Sequence, residues 1–208
     1  MTLTTWLSVA AICAMGAMSP GPSLAVVVRN TLGHSRGHGL ATAVSHALGI
    51  GFYALLTTLG LAVLVTQNPV VYVTLAVAGA LYLAWLGIGA LRASGGGVQL
   101  DTVSTGAAGI LRSAREGFLI AFLNPKIAVF FLALFSQFVH PHMPATEHAT
   151  LALTATVIDG GWYALVALAL SHSSVLVWLR RRAHWVDRAT GAVLLLLATV
   201  TLLRLLLT

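Results

Sequence analysis

Six apolar stretches, each long enough to cross a membrane as a helix, occupy most of this 208-residue chain. A bilayer has about 30 Å of hydrocarbon, which roughly 20 helical residues span. Inside lipid, backbone polar groups cannot reach water, so such stretches must fold as helices. The chain is therefore predicted to be an all-α integral membrane protein with six transmembrane helices. We place these at Leu3 to Val28, Leu40 to Val65, Val70 to Leu91, Gly117 to Phe138, Leu151 to Val177 and Ala189 to Leu207.

The amino-acid composition supports the same class. Hydrophobic residues make up 58% of the chain and charged residues only 8%, too few charges to cover the surface of a soluble domain of this size. The formal net charge is +6. The basic residues lie in short connections without an aromatic-rich platform, so we expect no nucleic-acid partner. The single cysteine, Cys13, can form no intrachain disulfide.

The placement of arginine orients the predicted bundle, because cytoplasmic connections collect positive charge. Nine arginines fall in the first, third and fifth connections, at positions 29, 36, 92, 112, 115, 180, 181, 182 and 188. The second and fourth connections contain no lysine or arginine. We therefore predict a multi-pass protein with both termini on the non-cytoplasmic side of the membrane. The only lysine, Lys126, lies inside a predicted span.

A glycine-rich connection divides the single predicted transmembrane domain into two halves of three spans. Residues 1–92 form the first half, residues 93–116 a cytoplasmic connection, and residues 117–208 the second half. Because three is odd, the halves would have opposite orientations, as in inverted-repeat transporters. Proline interrupts the first span at Pro20-Gly21-Pro22 and the fourth at Asn124-Pro125-Lys126. Broken helices at matching positions of two halves point to a substrate-binding site.

The two breaks carry groups that suit a carboxylate. Pro20 and Pro22 interrupt helical hydrogen bonding and expose a helix amino end, whose N–H groups and positive dipole favour an anion. Gly21 leaves room for a ligand beside the backbone. Lys126 offers a cation, and Asn124 adds a neutral donor and acceptor. A lysine at this depth persists only where protein or a water-filled cavity surrounds it.

Asp159, in the fifth span, supplies the opposite charge. It would hold an α-ammonium group or a proton, so that together with Lys126 it recognises a zwitterion. The alternative is that Asp159 and Lys126 neutralise one another as a structural ion pair, because an unpaired buried charge is costly. His46, in the second span, is a further candidate for proton coupling, against the alternative of a histidine that only hydrogen-bonds a neighbouring helix.

These features together resemble one family along nearly the whole chain. The chain is similar to the LysE/RhtB amino-acid exporters in Ser19-Pro20-Gly21-Pro22, the glycine- and alanine-rich stretch from Gly39 to Gly60, Phe122-Leu123-Asn124-Pro125-Lys126, Asp159, and the basic connection before the sixth span. The resemblance implies a secondary exporter of amino acids or close derivatives in the bacterial inner (plasma) membrane, driven by the proton motive force. No phosphate-loop motif occurs, so we expect no cofactor.

Other functions stay open at the level of sequence. The resemblance also includes exporters of metal cations, and His140, His142, Glu147 and His148 offer ligand types for such a cation, although we expect no metal site there. A membrane enzyme lacks a nucleophile, since the hydrolase-like pattern Gly33-His34-Ser35-Arg36-Gly37 lies in a short connection. A structural subunit with no solute path would not need two broken helices. The expected partners are a small zwitterion, protons and lipid, with the chain acting alone or as a homodimer.

Overall fold

The computed structural model of the protein describes residues 1–19, 21–92, 109–140, 142–170 and 173–207. Within these ranges it contains eight α-helices and no strand, which confirms the all-α class for this part of the chain. Pro20, one of the predicted site residues, lies outside the described residues. The helices are α1 Leu3–Met18, α2 Pro22–Gly33, α3 Arg36–Gln67, α4 Pro69–Arg92, α5 Ile110–Phe122, α6 Pro125–Phe135, α7 Ala145–Ala169 and α8 Ser173–Leu207.

Two helices are long and apolar enough to cross a membrane without a break. They are Arg36–Leu61, which is most of α3, and Ala145–Ala169, which is α7. Two further spans arise if each bent pair counts as one, with α1 and α2 bent by 59° and α5 and α6 by 51°. Helices α4 and α8 contain the shorter apolar segments Ala76–Arg92 and Arg188–Leu203. The described residues therefore support two to four of the six predicted spans by length and composition.

Both bent pairs are interrupted where proline predicted a break. Helix α2 begins with Pro22 and α6 with Pro125 in the first turn, where the missing N–H of proline removes no helical hydrogen bond. Asn124 caps α6, because its side-chain oxygen accepts a hydrogen bond from the backbone N–H of Lys126 at 3.0 Å. Gly21 precedes α2 and provides no side-chain cap. Each break thus exposes the amino end of a new helix.

Several helix boundaries differ from the predicted ones. Helix α5 begins at Ile110 rather than Gly117, because Glu116 binds Arg29 and Asn30 of α2 and the Ser113 carbonyl accepts a hydrogen bond from Thr42 of α3. Helix α7 ends at Ala169 rather than Val177, and α8 begins at Ser173. No glycine or proline lies between positions 173 and 190, and arginine and leucine favour helix. The backbone of the basic segment 180–188 is therefore helical and belongs to α8, not to a long connection.

Small residues let the central helices pack closely. Helix α3 lies against α5, α6 and α7. A Cβ atom on Gly160 of α7 would stand 3.0 Å from the Cβ of Ala47 on α3. A side chain on Gly51 would collide with Thr156, and one on Gly117 would collide with the α3 backbone. Close backbone approach of this kind is a common mode of helix association in membranes.

Large apolar side chains cover much of the outer surface of the bundle, whereas His46 and Asp159 lie inside it. Val157 of α7 is 68% exposed and Trp85 of α4 is 66% exposed, but Asp159 is only 6% exposed. A helix that turns aliphatic residues outward and a carboxylate inward is the arrangement expected in lipid. The largest fully buried apolar side chains of the core are Phe135, Leu61, Leu83, Leu134 and Leu151.

Candidate functional site

A cavity lies at the two helix breaks and is lined by residues of α1, α2, α3, α6, α7 and α8. Its volume is about 70 Å³. At roughly 10–15 Å³ for each water molecule, this is room for on the order of five waters or one small solute. Six of the predicted site residues line the cavity together: Gly21, Pro22, His46, Asn124, Lys126 and Asp159. Pro125 starts the helix that places Lys126 there.

The side chain of Lys126 forms the cationic part of the cavity. Its Nζ donates a hydrogen bond to Ser19 Oγ at 2.9 Å. The same Nζ is 3.9 Å from the point where a Cβ atom on Gly21 would stand, so the amino end of α2 lies beside it. Lys126 itself belongs to the first turn of α6. One ammonium group and two helix amino ends therefore converge, and both kinds of group favour an anion.

Asp159 forms the anionic part of the cavity, together with His46. Its Oδ2 accepts a hydrogen bond from Nδ1 of His46 on α3 at 2.7 Å. Tyr163, one helical turn beyond Asp159, packs edge-on against the imidazole with ring centroids 4.9 Å apart. Both partners of the hydrogen bond are buried. The two residues predicted separately as candidates for proton coupling are thus in direct contact.

Apolar side chains complete the lining, among them Ile50 of α3, Phe130 of α6 and Leu194 of α8. Gly16 of α1 makes room for the aromatic ring, because a Cβ atom there would stand 2.9 Å from Phe130. The cavity therefore offers a cation, an anion and an apolar surface within one small space. Such a combination suits a small solute that carries both charges and a short side chain.

Several lining residues, among them Ser19, Cys13 and Thr190, were not identified from the sequence as parts of a site. Ser19 had a signal, since it directly precedes Pro20 in the first break. Cys13 and Thr190 reach the cavity through the packing of α1 and α8. No motif or spacing in the sequence connects those two positions with the breaks, so only the tertiary structure could reveal them.

On the side of the first and third connections, polar side chains join α2, α3 and α5. We call this group the Glu116 clasp; it consists of Arg29, Asn30, Thr42, Arg112 and Glu116. Arg29 forms an ion pair with Glu116, and Arg112 Nε donates to the same carboxylate at 3.3 Å. Asn30, which is buried, donates to Thr42 Oγ1 at 2.9 Å and to Glu116 Oε2 at 3.3 Å. The clasp links α2 and α3 to the start of α5.

On the opposite side of the cavity, α1 binds α7. Trp6 Nε1 donates a hydrogen bond to Thr154 Oγ1 at 3.0 Å, which we call the Thr154 contact. Nearby, Glu147 forms an ion pair with the amino group of Met1 and lies 3.5 Å from His140 Nε2. In the part of the chain that the structure describes, no group of three or more His, Cys, Asp or Glu residues could hold a metal ion. The metal-export alternative therefore gains no support from the geometry.

Comparison with known proteins agrees with the resemblance. The threonine efflux protein of Escherichia coli (strain K12) is 27% identical over 195 residues, which cover 91% of this chain and 93% of that protein. The homoserine/homoserine lactone efflux protein of Salmonella typhi is 26% identical over 204 residues, covering 96% and 97%. An "uncharacterized membrane protein" of Vibrio cholerae serotype O1 is 30% identical over 176 residues, covering 80% and 83%. No solved structure matches the chain.

The pattern that describes the LysE type translocator family matches residues 14–205. The matched region contains both helix breaks and nearly all of the cavity lining. Apolar helices and this match over most of the chain agree on a multi-pass membrane protein of bacteria. The chain belongs to the LysE type translocator family.

Proposed function

We propose that the protein exports small amino acids or their close derivatives, and that the cavity at the helix breaks is the substrate site. The observation that carries this proposal is the presence of Lys126 and Asp159 in the lining of one cavity. An amino acid has one carboxylate and one ammonium group. The carboxylate would bind Lys126 and the helix amino ends, and the ammonium group would bind Asp159, because charge-assisted hydrogen bonds are the stronger ones.

The names of the relatives suggest the size and class of the solute. Threonine and homoserine, which appear in the names of two efflux proteins similar to this chain, are small zwitterions with short side chains. We infer the same class for this protein, since a cavity of about 70 Å³ suits a small solute rather than a peptide.

We further infer that export is coupled to the inward movement of protons. The buried Asp159–His46 pair supports this step, because ionisable residues inside membrane helices commonly form proton pathways. Histidine is also the side chain whose charge ordinarily changes between pH 5 and 8. The pair lines the substrate cavity, so a proton and a solute would use the same space.

For the whole chain we propose six spans arranged as two inverted repeats. The bent pair α1–α2 would correspond to α5–α6, α3 to α7, and α4 to α8. Reciprocal packing supports this correspondence: α3 contacts α5 and α6, α7 contacts α1 and α2, and both α3–α7 and α4–α8 pack together. From the arginine distribution we infer that both termini face the non-cytoplasmic side of the inner membrane.

In this arrangement the two halves would rock about the breaks. Opening toward the cytoplasm would separate the Glu116 clasp, and opening to the other side would separate the Thr154 contact. Alternating access needs such a barrier on each side of a central site. The cavity lies between the two contacts and is lined by both halves.

Efflux from whole cells tests the proposed function. Cells that overproduce the protein are preloaded with a labelled mixture of amino acids, and release is followed with and without a protonophore. We expect selective release of threonine, homoserine or a similar small amino acid, and slower release when the protonophore collapses the proton gradient. Release no faster than from cells without the protein, for every amino acid in the mixture, would overturn the proposal.

A further inference from the structure

Among the described residues, the contact between Asp159 and His46 leaves one nitrogen of the imidazole without a hydrogen-bond partner. Nδ1 of His46 lies 2.7 Å from Asp159 Oδ2. Nε2 of the same ring is buried and has no hydrogen-bond partner within the described part of the chain. His46 is 1% exposed and lines the cavity. Because buried polar atoms are normally hydrogen-bonded, this nitrogen points to a ligand that enters the cavity.

We propose that His46 Nε2 is the atom that exchanges one proton for the ammonium group of the substrate. This inference rests on the proposed export function and assigns different roles to the two residues. Asp159 stays ionised and positions the ring, because a carboxylate only accepts hydrogen bonds and therefore keeps a hydrogen on Nδ1. Nε2 then has either a lone pair or a proton. The lone pair accepts a hydrogen bond from an ammonium group, whereas the protonated ring repels that group.

The proton on Nε2 and the ammonium group of the solute exclude one another, and this makes the transport an antiport. When the cavity faces the cytoplasm, the solute ammonium group binds Asp159 and Nε2, and the proton leaves Nε2 for the cytoplasm. When the cavity faces outward, a proton adds to Nε2, the imidazolium neutralises Asp159, and the solute leaves. One proton enters for each solute exported, and no covalent bond to the solute forms or breaks.

The other titratable groups around His46 suit this role less well. Those that line the cavity are Asp159 and Tyr163 from α7, Lys126 from α6 and Cys13 from α1. Helix α5 contributes Glu116, whose carboxylate binds Arg29 and Arg112. Glu116 lies near Thr42, and Thr42 is one turn before His46 on α3. The described lining from α2 and α8 consists of hydroxyl and apolar side chains. Histidine is the one type in this set that ordinarily titrates between pH 5 and 8.

The substitution His46→Asn separates the two roles. An asparagine amide nitrogen takes the position of Nδ1 and still donates to Asp159, but no atom replaces Nε2. Purified protein in liposomes is assayed with labelled threonine in two ways: accumulation driven by a pH gradient, and exchange at equal pH on both sides. For the variant we expect gradient-driven accumulation to fall at least tenfold, while exchange continues with weaker apparent affinity and loses its dependence on pH between 5.5 and 8.

A matched control is His148→Asn, which changes another buried histidine near the start of α7. This variant is expected to keep gradient-driven accumulation. If His46→Asn also concentrates threonine as the wild-type protein does, the proton is carried elsewhere and the inference is wrong. If the wild-type protein moves no small amino acid of the efflux mixture in either assay, the proposed function fails instead.

A binding measurement on the wild-type protein tests the inference without any variant. Labelled threonine is bound to the purified protein by scintillation proximity between pH 5.5 and 8. On the acid side of this range the apparent affinity should weaken about tenfold for each pH unit, the slope of one competing proton. His46→Gln, which has no titratable atom, should give a flat profile. A flat profile for the wild-type protein, or the wild-type slope in His46→Gln, would overturn the inference.

Discussion

One lysine provides the cationic group of the cavity. Lys126 is the only lysine in the chain, and it lies in the first turn of α6, where Asn124 caps the helix. Helix amino ends already favour anions, so this position adds a full charge to a favourable field. Ser19 accepts a hydrogen bond from the Lys126 ammonium group. The first half of the chain thus positions the cation that the second half provides.

Replacing Lys126 by Gln should weaken substrate binding with little effect on protein level in the membrane. A hydrogen bond to a charged group contributes about 1.5–3 kcal/mol, so the apparent KM of threonine exchange should rise about ten- to hundredfold. Arg115→Gln removes the same charge from an exposed position of α5 and serves as the control, with an unchanged KM. Equal KM values for the Lys126 variant and the wild-type protein would make this lysine structural only.

The helix breaks were predictable from sequence, but the start of α5 was not. Proline marks α2 and α6 directly, because it cannot continue a helix yet fits its first turn. Helix α5 starts before the apolar run because Arg112 and Glu116 find partners on the same helix and on α2. A prediction from hydropathy places Arg112 and Glu116 in a loop, because it does not include binding partners that lie far away in the sequence.

The same limit applies to the candidate site. Lys126, Asp159 and His46 were each predicted separately, because each is an ionisable residue inside a predicted span. The hydrogen bond between His46 and Asp159 joins positions 113 apart, and the bond from Asn30 to Glu116 joins positions 86 apart. Neither pairing follows from spacing along one helix. These three ionisable residues were therefore predictable individually as candidates, whereas their partners depend on how the helices pack.

The Glu116 clasp should control access from the side of the arginine-rich connections. Glu116→Gln removes the charge that Arg29 and Arg112 bind, and the equilibrium should shift toward the state that is open on that side. The rate at which Cys13 is chemically modified measures this shift, because Cys13 is the only cysteine in the sequence and lines the cavity. We expect a membrane-impermeant thiol reagent to modify Cys13 about two- to tenfold faster from that side, since partly exposed ion pairs contribute little individually.

Thr154→Val provides the matched variant on the other side of the cavity, because it removes the acceptor for Trp6 with little change in shape. Labelling in right-side-out and inside-out vesicles should show faster modification of Cys13 from opposite sides in the two variants. If Glu116→Gln leaves the labelling rate unchanged from both sides, the clasp does not gate the cavity.

At the scale of the whole molecule, the bundle turns apolar side chains outward and encloses ionisable groups between its halves. Composition and hydropathy were sufficient to predict the membrane class. The motifs at the breaks were sufficient to predict the family, which the match over residues 14–205 confirms. The cavity that brings groups of both charges into one lining is the feature that only the packed structure reveals. The proposed cycle depends on both halves, since each contributes to the lining.

The most direct test of amino-acid export coupled to protons uses liposomes that contain either the wild-type protein or Asp159→Asn. Outward movement of labelled threonine or homoserine is measured together with proton movement, which a pH-sensitive dye inside the liposomes reports. In the wild-type protein, solute and protons should move in opposite directions and should depend on each other. In Asp159→Asn both should fall about thirtyfold or more, because removing one partner of a buried charge pair costs about 2 kcal/mol or more. Wild-type rates of both movements in Asp159→Asn would contradict the account.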